Sequence, residues 1–230
     1  VTLLHSQNGQ LMSLGPVDPQ LYYTDFSDQT IERISLPDTT PQILVSSLPS
    51  AHSIGADAST QKIYFTQLNS DLIKSADLDG SNITTIHNFS GTNPRTSGIG
   101  FDPNTSKIYW TEFAGRRVMR SNVDGTNIEV LASGIQHAIN LDLDLENGHI
   151  YWTERPVNTG DNGFVKRADL DGSNATVIHT ITDGAEGIAV SAELGQIYWS
   201  EGRGTTVDGI IRRSNLDSTS VETLLTGLGL

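Results

Sequence analysis

Three side chains at equivalent places in the chain have the chemistry of a reactive centre. His52 in "AHSIG", His137 in "QHAIN" and Glu186 in "AEGIAV" bring imidazole and carboxylate groups, the donors that hold a divalent metal or relay a proton. They share one recurring position with Gln10 and Ser97, and that position is polar in every copy. A polar ring holding water is the ordinary use of such a set, so the expectation is no metal and no cofactor. Glu112 and Glu154 also recur, and carboxylates that recur by repeat read as structural ties rather than as an acid and base pair. The stretch "DLDLENG" at 142 to 148 has the composition of a calcium loop, but its glycine falls one position late and Thr153 stands where a bidentate glutamate is needed. The chain contains no nucleophile elbow, H-E-x-x-H pair or phosphate loop. Its lack of cysteine removes disulfides, zinc-thiolate sites and a thiol nucleophile together. The reading is therefore of a chain that is not an enzyme.

The elements that would position these residues are repeated. "LYYTD" begins at 21, "IYFTQ" at 63, "IYWTE" at 108 and again at 150, and "IYWSE" at 197, at intervals of 42, 45, 42 and 47 residues. Such periods fit four-stranded propeller blades or pairs of helices, and local pattern separates them. Every unit holds short β-branched and aromatic runs, with Asp79-Gly80, Asp124-Gly125 or Asp171-Gly172 between the third and fourth. Asp-Gly is expected to supply the positive φ angles of a tight hairpin turn. The third copy reads as strands a ("SGIGFD"), b ("KIYWTE"), c ("RRVMRSNV") and d ("IEVLAS"), with no helical period. Ile108 and Trp110 face one side of strand b and Tyr109 and Thr111 the other, so the strand needs cover on both faces, as a blade has. Trp110, Trp152 and Trp199 are expected in the core between blades, since three tryptophans at one repeat position cannot share one ligand.

The expected fold is all-β, a β-propeller of four-stranded antiparallel blades in one domain over 1–230. Its repeat units run from about 10–48, 51–91, 95–133, 137–182 and 186–226. Residues 1–9, "VTLLHSQNG", align with strand d "ATVIHTITDG" and read as the outer strand of an incomplete or shared blade. His5, His87 and His179 share a place on strand d and are expected as solvent-facing edge residues.

The words "YYTD", "YFTQ", "YWTE" and "YWSE", followed by "DLDG", "NVDG" and "NLDS", resemble the YWTD, or class B, repeats of the low-density lipoprotein receptor family, over nearly the whole chain. The resemblance implies a six-bladed propeller that binds proteins without catalysis, and a fourth letter, Asp in the family, that helps tie blades together. Here that letter reads Asp25, Gln67, Glu112, Glu154 and Glu201.

Antiparallel strands send the d to a and b to c loops to one end of the blades. From Trp110 to Asp124 the step is 14 residues, while from Trp152 to Asp171 it is 19, the excess lying in "RPVNTGDNGF"; "GRGTTVDG" and "GTNPR" lengthen other loops at the same end. Insertions on one end mark it as the binding face. The expected ligand-contacting residues are His52, Arg95, Arg116, His137, Arg155, Asn158, Asp161, Glu186 and Arg203. The expected function is an extracellular recognition propeller for a protein or glycan, with a lectin-like propeller and a propeller hydrolase carrying a channel metal as alternatives. Twenty-seven acidic residues against 14 basic ones, a net charge of −13, argue against nucleic acid and anionic surfaces. No apolar run is long enough for a membrane helix. Sequons at Asn82, Asn88, Asn104 and Asn174 accord with a secreted glycoprotein, and three of them fall at the short-turn end.

Overall fold

The computed structural model describes residues 11–14, 20–38, 40–57, 59–158, 160–182, 184–202 and 209–228. The fold is all-β, with five four-stranded antiparallel blades arranged as a β-propeller. In chain order the first blade is β1 (Leu11–Leu14), β2 (Gln20–Asp25), β3 (Thr30–Ser35) and β4 (Gln42–Val45). The second is β5 (Ala51–Asp57), β6 (Lys62–Gln67), β7 (Leu72–Asp77) and β8 (Thr84–Asn88). The third is β9 (Thr96–Asp102), β10 (Lys107–Glu112), β11 (Arg117–Asn122) and β12 (Glu129–Ser133). The fourth is β13 (His137–Asp144), β14 (His149–Arg155), β15 (Gly163–Asp169) and β16 (Thr176–Ile181). The fifth is β17 (Ala185–Ser191), β18 (Gln196–Glu201), β19 (Gly209–Asn215) and β20 (Glu222–Leu228). The chain forms two compact units, Val1–Trp110 with Arg120–Glu129, and Thr111–Met119 with Val130–Leu230. The proposed outer strand at 1–9, with His5 and Gln10, lies outside the described residues, as does Arg203.

The repeated words have physical reasons. Strand b is buried on both faces, and Phe65, Trp110, Trp152 and Trp199 are at most 3% exposed, as two-sided bulk requires. The third letter is the link between blades. Thr24 donates to the His52 carbonyl at 2.9 Å, Thr66 to Ser97 at 2.6 Å, Thr111 to Ile139 at 2.9 Å and Thr153 to Glu186 at 2.6 Å, each reaching strand a of the following blade. The same hydroxyls of Thr66 and Thr153 accept N–H groups from strand a of their own blade. A buried hydroxyl that donates one way and accepts the other leaves neither backbone group unpaired.

The fourth letter works within its own blade, a correction to the blade-tying role that the resemblance implies. Gln67 Nε2 donates to the Pro49 carbonyl at 3.0 Å, and the Glu154 carboxylate accepts the Gln136 N–H at 3.0 Å, so each pins strand b to the segment entering that blade. Glu154 and Glu201 also accept the indole N–H of Trp152 and Trp199, two residues earlier, at 2.7 Å. The extra methylene of glutamate gives the reach back along the strand. The shorter Asp25 accepts the N–H groups of Ser27 and Asp28 instead.

The c to d turn also differs from the simple Asp-Gly hairpin. Gly80 has φ +86° while Asp79 keeps negative φ; the Gly80 N–H meets the Asp77 carbonyl and the Asp77 N–H meets that of Ser81, both at 2.8 Å. A type I turn closed by a left-handed glycine has this pattern. Glycine is required twice over at this position, because a Cβ on Gly80 would lie 2.4 Å from the Leu44 carbonyl oxygen of the preceding blade. Two residues later, Asn82 and Asn174 occupy left-handed φ and donate Nδ2 to Asp77 and Asp169 at 2.6 Å. Asn127, which begins no sequon, has the same φ of 53°, so asparagine is there for the turn.

His87 and His179 overturn the solvent-edge expectation. His87 is 6% exposed, and its Nε2 meets Ser121 Oγ at 2.8 Å while its ring lies 5.1 Å from that of Trp110. His179 meets Ser214 at 2.8 Å and stacks on Trp199 at 4.5 Å. Strand d is an edge within its own blade, but the next blade covers its face, which counting strands in one repeat does not reveal.

Candidate functional site

In the unit holding the fourth and fifth blades, the b to c and d to a loops bring several of the expected residues together. The turn 113–116 ends in Arg116 at φ 53°, and Arg116 Nε donates to the Ile135 carbonyl at 2.5 Å. The Phe113 ring stacks face to face on His137, centroids 4.2 Å apart and 5° from parallel, and its carbonyl meets His137 Nδ1 at 2.9 Å. Gln136 Oε1 accepts the Val157 N–H at 2.9 Å, joining the d to a loop to the long b to c loop. Arg155 grips Glu186 through both Nε and a terminal nitrogen, a bidentate pair across successive blades. Asn158 Nδ2 donates to Asp161 at 2.9 Å, and the Asp161 N–H returns to the Asn158 carbonyl at 3.2 Å, so the insertion closes on itself.

This surface is half-exposed, aromatic in part and preformed. Phe113, Arg116, His137, Arg155 and Glu186 are all partly accessible, and Val157 is 38% exposed. Fixed rotamers on rigid loops lower the entropy lost on binding. Phe113 escaped the sequence reading. The signal was available, since it immediately follows "YWTE", the place of Phe26 and Leu68 in the first two blades.

Two of the expected residues, Arg95 and His52, sit in the other unit. Arg95 ends the 91–95 insertion at φ 54°, with its N–H on the buried carboxylate of Asp71 at 2.7 Å. His52 Nδ1 lies 3.4 Å from Ser97 Oγ, so these two neighbours on successive inner strands touch. Among the described residues, no three His, Asp or Glu side chains gather as metal donors. The sequon residues are all exposed: Asn82, Asn104 and Asn174 in the short turns, and Asn88 at the end of β8. Among the described residues no helix is long and apolar enough to cross a membrane.

One carboxylate outside this surface is set apart by its surroundings. Asp142 in β13 accepts the Val190 N–H of β17 and the Leu143 N–H, both at 2.8 Å. Burial pushes its pKa up to about 6 against these hydrogen bonds, and the neighbouring Asp144 charge adds to the rise.

No family model matches the chain, and no curated protein matches it. Solved structures do. The chain is similar to one in a crystal structure of a nidogen/laminin complex, at 21% identity over 91% of this chain and 79% of that one, with a TM-score of 0.76. It is similar to a virginiamycin B lyase from Staphylococcus aureus at 17% identity, over 94% and 73% of the two chains, TM-score 0.66. An oligogalacturonate lyase in complex with manganese aligns at 11% identity, over 93% and 63%, TM-score 0.64. At these identities the likeness establishes the propeller fold. The fold serves both a protein complex and lyases, so function has to be argued from the site.

Proposed function

We propose that the chain is a non-enzymatic recognition propeller of the YWTD type, working outside the cell, and that it binds a protein through the loop end of its third to fifth blades. The observation that carries this reading is the preformed patch of Phe113 stacked on His137 beside the Arg155–Glu186 pair. A rigid aromatic anchor rimmed by hydrogen-bonded charge is the make-up of a protein interface centre. Its groups are engaged with one another, which suits a docking surface better than a reactive centre, where a base needs a free partner. The likeness to a propeller in the nidogen/laminin complex is in keeping with a protein ligand.

The test is a binding screen of the purified chain against extracellular protein and glycan arrays. A protein hit is expected, weakened at least tenfold by Phe113→Ala and by replacing residues 156–162 with a short Gly-Ser turn, with the melting temperature within a few degrees of the parent. Binding to glycans alone, or binding that survives both changes, would overturn the proposal.

A further inference from the structure

The long loop between β14 and β15 ends in two residues that can react with each other. Asn-Gly occurs at Asn8-Gly9, Asn147-Gly148 and Asn162-Gly163, and the first pair lies outside the described residues. In such a pair the backbone nitrogen of glycine can attack the asparagine Cγ, because glycine has no Cβ to shield that nitrogen. The two atoms must first reach a near-attack arrangement, so a side chain held elsewhere reacts slowly.

The two described pairs differ in that respect. Asn147 donates its N–H to one oxygen of Asp144 at 3.0 Å and its Nδ2 to the other at 2.8 Å, and Asp144 is 2% exposed. A buried carboxylate therefore clamps both the backbone and the amide of Asn147. Asn162 is exposed, and no hydrogen bond holds its side chain among the described residues. Asn158 and Asp161 close the loop on each other and leave it out. Its glycine cannot be exchanged, since a Cβ on Gly163 would lie 2.7 Å from the Glu154 carbonyl oxygen and 2.8 Å from Gly184 Cα. Packing thus keeps glycine behind an asparagine whose amide is free to turn.

We propose that Asn162 is a spontaneous modification site, deamidating through a cyclic imide in the folded protein while Asn147 is spared. The Gly163 nitrogen bonds to Asn162 Cγ and its proton passes to the leaving amide nitrogen; the Cγ–Nδ2 bond breaks and ammonia departs. One water then opens the ring at either carbonyl, leaving aspartate or isoaspartate, with no change of oxidation state. The product sets a new carboxylate beside Asp161, and as isoaspartate it adds a methylene to the loop backbone.

Incubating the folded chain in water labelled with heavy oxygen, then digesting it and mapping masses, reads the step at each site. Label should enter at Asn162 about tenfold faster than at Asn147, or more. In denaturant, where Asp144 no longer clamps, the two asparagines should label at similar rates. Asn162→Gln should abolish labelling of its peptide. No labelling at Asn162 in the folded chain, or labelling at Asn147 as fast or faster, would overturn the proposal. So would a preference for Asn162 that persists undiminished in denaturant, since the sequence neighbours and not the clamp would then set it.

Discussion

The junction of the first and second blades and that of the second and third fill one geometric frame with different chemistry. In the first, Val45, Phe65 and Ala76 sit in a cluster that also holds Ile54 and Ile63, with no titratable group among these residues. In the second, His87 lies against Trp110 and bonds Ser121. Both bury strand d, and both place a turn glycine over the preceding blade's backbone, Gly80 near Leu44 and Gly125 near Ile86. The frame is set by backbone and aromatic bulk, so the pair of residues inside it can be apolar or polar provided the two agree. The consequence is that the second junction is sensitive to acid and to loss of one partner, and the first is not.

The largest effect should come from removing the part both junctions share. Trp110→Ala, and likewise Phe65→Ala, should each cost about 3 to 5 kcal/mol in chemical denaturation, the usual loss for a large buried aromatic. A loss under 1 kcal/mol at either site would mean that the aromatic does not build the frame.

A smaller effect separates the two chemistries. Ser121→Ala should cost about 1 to 3 kcal/mol, because it strands a buried imidazole nitrogen. Adding His87→Val should recover most of that loss by recreating the Val45–Ala76 pairing, which a double-mutant cycle reads directly. Burial holds the His87 pKa below its ordinary 6.5, so the unfolded chain binds a proton more readily than the folded one. Stability from this group is complete above pH 6.5 and is lost as pH falls from there toward the lower folded value. The double variant should lose that part of the acid sensitivity. Purely additive losses would show that the two residues are not coupled.

The smallest effect concerns a tie between the fourth and fifth blades that works with the opposite sign. Asp142 titrates at about 6 in the folded protein against an ordinary 3.8, so its contribution is complete below pH 3.8 and is lost as pH rises from there to 6. Asp142→Asn keeps an acceptor for the Val190 N–H and carries no charge. It should stabilise the protein at pH 7 by about 1 kcal/mol, a figure trimmed for the partial exposure of the side chain, and by nothing near pH 4. Melting curves at the two pH values check this, and destabilisation at pH 7 would show that the charge itself is what the tie needs.

The sequence by itself determined the strands, their order and the blade. Five copies of an aromatic word at near-constant spacing, with two-sided bulk on strand b, leave few ways to bury those side chains except between sheets. It also marked the loop end, and the structure brings Arg116, His137, Arg155 and Glu186 together there, fixed by bonds to loop backbone or to each other. Tertiary structure alone decided what depends on the neighbouring blade. His87 and His179 look like edge residues within one repeat and are covered by the next. The threonines of the first four words each bind a carbonyl about 30 residues away, and which carbonyl that is depends on how blades stack. A repeat encodes its own hydrogen-bond ladder locally. Its partners across the junction are set only when two repeats meet, because burial is a property of the pair.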